Sequence, residues 1–137
     1  MKKRGCSIIF LNDQREILLL LRDDKPGIPY PNMWDIPGGH VENNETPRQC
    51  IVREMKEEMG INLKGFNEFD IVKFFDRTEY VFWKKENFDI KKIKLTEGQC
   101  LKWFCEDEIR NTNLACGFNE TAESFFKIIC CDKNRKR

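Results

Sequence analysis

The chain is poor in histidine and has almost no surplus of charge. It holds a single histidine, His40, and its 24 basic side chains are offset by 23 acidic ones, for a formal net charge of +1 over 137 residues. A general nucleic-acid binder carries a clear basic excess, so that class is not expected. No two of the seven cysteines form a Cys-x-x-Cys pair, and one histidine cannot complete a zinc site. Their odd number and spacing suggest reduced thiols in a cytoplasmic protein, several of them acting as small core residues. Long apolar runs are also missing. The basic start Met1-Lys2-Lys3-Arg4 is followed only by Cys6 to Leu11, too short for a signal sequence or a membrane span. With no internal repeat and no low-complexity linker, one domain over residues 1–137 is expected, its core at about 5–131. The basic tail Lys133-Asn134-Arg135-Lys136-Arg137 reads as a solvated end. A contact with RNA or an acidic partner is the lesser alternative.

What is present alternates between strand and helix patterns. Cys6 to Leu11 and Glu16 to Leu21 flank the turn residues Asn12-Asp13-Gln14 and read as a hairpin. The run Ile17 to Leu21 is apolar at every position, as in a strand covered on both faces. Pro26, Pro29 and Pro31 keep Asp23 to Met33 irregular. Further strands are expected at Glu68 to Phe75, Glu79 to Lys84 and Leu101 to Cys105. A last helix is expected from near Asn119 to Cys131, packing through Ala122, Phe125, Phe126, Ile129 and Cys130. This order suits an α/β fold, a mixed sheet sandwiched between helices in an α/β/α arrangement.

The most informative stretch is the predicted helix after Gly38 and Gly39. Thr46 is a suitable N-cap, Pro47 a suitable first residue, Gln49 completes a capping box, and Gly60 supplies the stop. Ile51, Val52, Met55 and Met59 are expected to form its buried stripe. Glu54, Glu57 and Glu58, at i, i+3 and i+4, share another side. Like charges at those spacings repel unless a cation neutralises them. Mg²⁺ (or Mn²⁺), a hard ion that takes carboxylate oxygens together with substrate phosphate, suits them best.

Gly39, Glu45, Arg53, Glu54, Glu57, Glu58, Gly60 and Ile61 stand at the fixed positions of a pattern spanning Gly39 to Ile61. In this the chain resembles the Nudix hydrolases, MutT-like enzymes among them; Met55 at the aliphatic position is the one mild departure. The resemblance implies a pyrophosphohydrolase that cleaves a diphosphate linkage in a nucleoside diphosphate joined to another group, by attack of water on phosphorus. It implies that Glu54, Glu57 and Glu58, with the carbonyl of Gly38, hold Mg²⁺ or Mn²⁺. Arg53 would orient the glutamates, Glu45 would brace the junction of loop and helix, and Gly39 would let backbone approach the diphosphate. The general base would be a glutamate of the box or one in a later loop, for which Glu97 is the best candidate and Glu106 and Asp107 are weaker ones.

Outside the fixed positions of the pattern, Arg22, Tyr30, His40 and Asn119 are candidates for substrate binding, with Lys25, Trp34 and Trp83 behind them. Each has an ordinary alternative. Asn119 is also a good helix cap, His40 a surface imidazole, Tyr30 and the tryptophans packing groups. The substrate is expected to be a small soluble nucleotide, either an NDP-sugar or ADP-ribose type or a (d)NTP. No membrane partner is expected, and a homodimer stands open beside a monomer. The competing reading is a non-catalytic Nudix-fold module that binds a nucleotide or a protein.

Overall fold

The computed structural model describes residues 3–130, so the basic tail at 133–137 lies outside the described residues. Strands β1 (Lys3–Leu11) and β2 (Ile17–Leu21) form the expected hairpin. Asn12 locks its turn: the buried side-chain oxygen accepts the amides of Gln14 and Glu16 at 3.1 and 2.8 Å, the local bonding for which asparagine is favoured in turns. Two short strands follow, β3 (Trp34–Asp35) and β4 (Gly38–His40), then helix α1 (Pro47–Met59). Strands β5 (Asn67–Lys73) and β6 (Arg77–Lys85) form a second hairpin, and β7 (Cys100–Phe104) precedes the short helix α2 (Glu106–Arg110) and α3 (Asn119–Phe125). One π-type turn, Phe126–Cys130, continues α3.

The sheet is mixed. Its main path runs β3-β2-β1-β6-β5, with β4 on β1 and β7 on β2; β1 and β6 are parallel and the other pairs antiparallel. Because side chains alternate across a strand, β1 feeds two cores. Ile8 and Phe10 join Leu18, Ile51, Met55 and Met59 beneath α1, while Ile9 and Leu11 join Ile17, Leu19, Phe118 and Phe125 beneath α3. Helices therefore cover both faces, the α/β/α arrangement expected. The strand ends fall within two residues of those expected, except that β1 begins three residues earlier than expected, at Lys3. The two-residue β3, the three-residue β4 and the five-residue α2 were not foreseen, being too short to show a period.

Three expectations are corrected. Val52 is 38 % exposed, and Cys50 takes its place in the buried stripe, because residue 52 lies about 100° around the helix from Ile51. Asn119 is not the cap of α3; it is the first helical residue and Phe118 occupies the cap. The cysteines are not all thiols: Cys6 on β1 and Cys50 on α1 form a disulfide, while Cys100, Cys105 and Cys116 are free. Trp34 and Trp83 are packing groups, edge-on to Phe104 and Phe125.

Candidate active site

The site is built on the first half of the fold by local rules. Thr46 accepts the Gln49 amide at 3.1 Å and the Gln49 side chain accepts the Thr46 amide at 2.9 Å, so α1 begins with the full capping box. It ends at Gly60, in the left-handed conformation at φ 68°. These ends fix the direction in which Arg53 to Glu58 project. Beside them, Gly38 and Gly39 pair with Ser7 and Cys6 of β1. A Cβ on Gly38 would strike the Cys6 carbonyl, and one on Gly39 would strike the Glu54 carboxylate. Only a glycine pair lets β1, the loop and α1 approach this closely.

Arg53 is the hub of the junction. Its Nε and Nη2 donate to the two oxygens of Glu45 at 2.6 and 2.9 Å, a bidentate pair. Nη1 donates to Glu54 at 3.1 Å and Glu57 at 3.2 Å, and Nη2 also donates to the His40 carbonyl at 3.1 Å. Glu45 in turn accepts the Glu42 amide at 3.0 Å. These bonds, led by those from Arg53, hold the Glu45 carboxyl down at about 2.

Glu54, Glu57, Glu58 and Glu97 line one open cleft of about 500 Å³, floored by Gly38 and Gly39. Glu97 arrives from a distant part of the chain because its loop is tied to α1. Thr96 donates through its amide to the Glu58 carbonyl at 3.2 Å and through its hydroxyl to the Glu57 carbonyl at 3.1 Å. Burial, with the neighbouring carboxyls of Glu54, Glu97 and Asp35, pushes the Glu58 carboxyl up to about 9. Arg53 balances Glu54 and Glu57, but no cation in the described residues is bonded to Glu58.

That imbalance tests the metal expectation. Among the described residues no three metal-binding side chains already converge on a point. The donor set nonetheless fits a hard divalent ion: Glu54, Glu57 and Glu58 line one cleft with Gly38, and Glu58, crowded by other carboxyls, holds its proton where no cation stands beside it. The residues that would hold it are Glu54, Glu57, Glu58 and the Gly38 carbonyl.

The remaining candidates separate. Arg22 and His40 line the cleft, and also a smaller adjoining pocket of about 120 Å³. Arg22 is anchored by an ion pair with Asp35 at 3.0 Å and a bond to the Pro29 carbonyl at 3.0 Å. Tyr30 is 43 % exposed and lines neither cavity. Asn119 is engaged elsewhere: its oxygen accepts the Leu114 amide at 2.8 Å, and its nitrogen donates to the carbonyls of Thr112 at 2.7 Å and Ile109 at 3.4 Å. It therefore shapes the loop before α3 and has little left with which to read a ligand. Two contributors escaped sequence reasoning. One is Thr96, whose role depends wholly on a long-range contact. The other is Asp35, buried in both cavity walls, which was signalled only by a lone acid between Trp34 and Ile36.

Comparison with known proteins identifies relatives of the chain. The 8-oxo-dGTP diphosphatase of Escherichia coli is 31 % identical over 107 residues, covering 75 % of this chain and 81 % of that protein. Human diphosphoinositol polyphosphate phosphohydrolase 2 is 31 % identical over 114 residues, or 80 % of this chain. The chain spans 61 % of that human protein and 38 % of a Bacillus subtilis relative matched at 40 % identity over 62 residues. A MutT structure from work on Aliivibrio salmonicida and Vibrio cholerae superposes with a TM-score of 0.73 at 25 % identity, covering 90 % of this chain and 96 % of that one. The NUDIX domain model matches residues 1–125, and the chain belongs to that family.

Proposed function

We propose that this chain is a Mg²⁺- or Mn²⁺-dependent pyrophosphohydrolase acting on nucleoside triphosphates of the kind its 8-oxo-dGTP diphosphatase relatives take. The observation that carries the reading is the gathering of Glu54, Glu57, Glu58 and Glu97 around Gly38 and Gly39 in one open cleft. Glu54, Glu57 and Glu58 would hold a divalent ion there, which would supply polarisation of a phosphoryl oxygen and offset developing charge. Arg53 holds Glu54 and Glu57 in place, and the two glycines leave room for the phosphate chain. Glu97, in the same cleft, accepts a proton from the attacking water. The water oxygen bonds to the α-phosphorus, the bridge to the β-phosphate breaks, and the products are a nucleoside monophosphate and pyrophosphate.

The charge of the cleft separates the two kinds of named relative. Arg22 is the one lysine or arginine among the described residues that line it, and Asp35 already pairs with it. A densely phosphorylated inositol would bring many negative charges to a wall of carboxylates, with no free cation to meet them. A nucleoside triphosphate brings a short phosphate chain that one or two divalent ions can neutralise. The test is a panel of (d)NTPs, 8-oxo-dGTP, ADP-ribose, an NDP-sugar and a diphosphoinositol polyphosphate, each with Mg²⁺ and with Mn²⁺, scored by product. Release of pyrophosphate from triphosphates supports the reading. Tight binding of a nucleotide with no turnover of any substrate would leave a binding module in its place.

A further inference from the structure

Asp35 is about nine-tenths buried, and its two carboxylate oxygens differ. Oδ2 accepts from Arg22 Nη1 at 3.0 Å, while Oδ1 is fully shielded and has no hydrogen-bond partner among the described residues. A buried carboxylate oxygen without a partner is costly. Chains keep such groups where a ligand completes them. The orientation of Asp35 is fixed at both ends. β3 pairs it with Leu20 of β2, and Arg22 is itself tied to the Pro29 carbonyl. Asp35 lies in the wall common to the glutamate-lined cleft and the smaller inner pocket. On the inner side the pocket is charge-balanced, with Arg77 bonded to Glu79 at 2.8 Å.

We infer that Asp35 is a specificity-determining residue whose Oδ1 accepts a hydrogen bond from a hydroxyl of the substrate's pentose. This rests on the nucleotide reading above. With the phosphates at Glu54, Glu57 and Glu58, the group reaching the boundary between cleft and inner pocket is the one next to the phosphates, the sugar. A sugar offers O–H donors; burial raises the Asp35 carboxyl while the Arg22 ion pair opposes that, and with Oδ2 committed to Arg22 the ionised group presents Oδ1 as an acceptor. Phosphate oxygens, which carry negative charge and no donor, are repelled there. The site thus selects a nucleoside by charge and by donor together.

The chemistry of the Arg22 pair makes the test sharp. In D35N, Arg22 still demands an acceptor, so the amide oxygen turns toward Nη1. The amide N–H₂ then occupies the place of Oδ1, and an acceptor becomes a donor. Wild-type and D35N protein are assayed with Mg²⁺ on GTP, dGTP and 2′,3′-dideoxy-GTP, with melting temperatures taken alongside. Wild-type kcat/KM should fall about 10–100-fold when the recognised hydroxyl is removed, the range for a hydrogen bond to a charged group. The step at which it falls identifies the 2′ or the 3′ position. D35N should lose a similar factor on the hydroxylated substrate, and the two losses should not add. The wild-type series stands by itself if D35N does not fold. Equal wild-type kcat/KM on all three nucleotides overturns the assignment. So does an undiminished D35N loss on the dideoxy substrate, or weaker Mn²⁺ binding by D35N in calorimetry without nucleotide, since either would make Asp35 a support of the metal residues. If no nucleotide is hydrolysed at all, the nucleotide reading fails first and this assignment falls with it.

Discussion

The two sides of α1 are made of neighbouring residues and obey opposite rules. Ile51, Met55 and Met59 are buried in the core beneath the helix, where burial itself is the stabilising force. Glu54, Glu57 and Glu58 face the cleft, where repulsion between like charges works against the fold. The first side could be exchanged for other apolar groups of the same volume. The second has no purpose in stability, which is why its cost points to function.

The largest effect that sharpens this contrast should come from Glu57→Gln. It keeps the shape of the side chain and removes its charge, so metal binding should weaken and turnover of a nucleoside triphosphate should drop by a few orders of magnitude with little change in melting temperature. Steady-state kinetics beside calorimetry will check both halves. Next is Glu97→Gln, expected to lower turnover about 10²–10⁴-fold, the usual worth of a general base. Metal affinity should hardly move; a loss below threefold would return the base to Glu54 or Glu57.

On the packing side, Met55→Ala should destabilise the fold by about 2–5 kcal/mol, since Met55 is fully buried. If denaturant melts show Met55→Ala unchanged and Glu57→Gln unfolded, the assignment of the two faces is reversed.

A subtler effect follows from Glu58, whose carboxyl sits at about 9 in the folded chain against an ordinary 4.5. Its folded value is raised, so its contribution to stability is full below about 4.5 and is lost as pH rises toward 9. The metal-free protein should therefore lose stability across that window. Saturating Mg²⁺, or Glu58→Gln, should flatten the dependence. Thermal melts in EDTA over a pH series would show it. The smallest effect belongs to Tyr30→Ala: outside both cavities, it should leave the Michaelis constants of all nucleotides within about twofold, like other surface substitutions.

How much of this was readable in the sequence follows the range of the interactions. The ends of α1 depend on residues within four positions of one another, so Thr46, Pro47, Gln49 and Gly60 announced it. The spacing of Glu54, Glu57 and Glu58 is likewise local. What failed was non-local. The pairing of Cys6 with Cys50 spans 44 residues, and nothing near either cysteine signals it. Asn119 has the chemistry of a cap or of a base reader, and only the folded loop shows that its amide holds Leu114, Thr112 and Ile109. Val52 looked core-facing because it is apolar, yet the helix turns it outward. Asp35 was hidden because a two-residue strand has no period, and its meaning depends on Arg22 and on two cavities that exist only once β2, β3 and β4 meet.

If the carboxylate side of α1 and the glycine loop cleave a diphosphate bridge with the help of a divalent ion, both the bond cut and the need for metal are directly observable. The most direct measurement is the phosphorus NMR spectrum of dGTP incubated with the protein, once with Mg²⁺ and once with EDTA. The expected spectra show dGMP and pyrophosphate with Mg²⁺ and intact dGTP in EDTA. Release of dGDP and inorganic phosphate, or the same rate in EDTA, would contradict this reading.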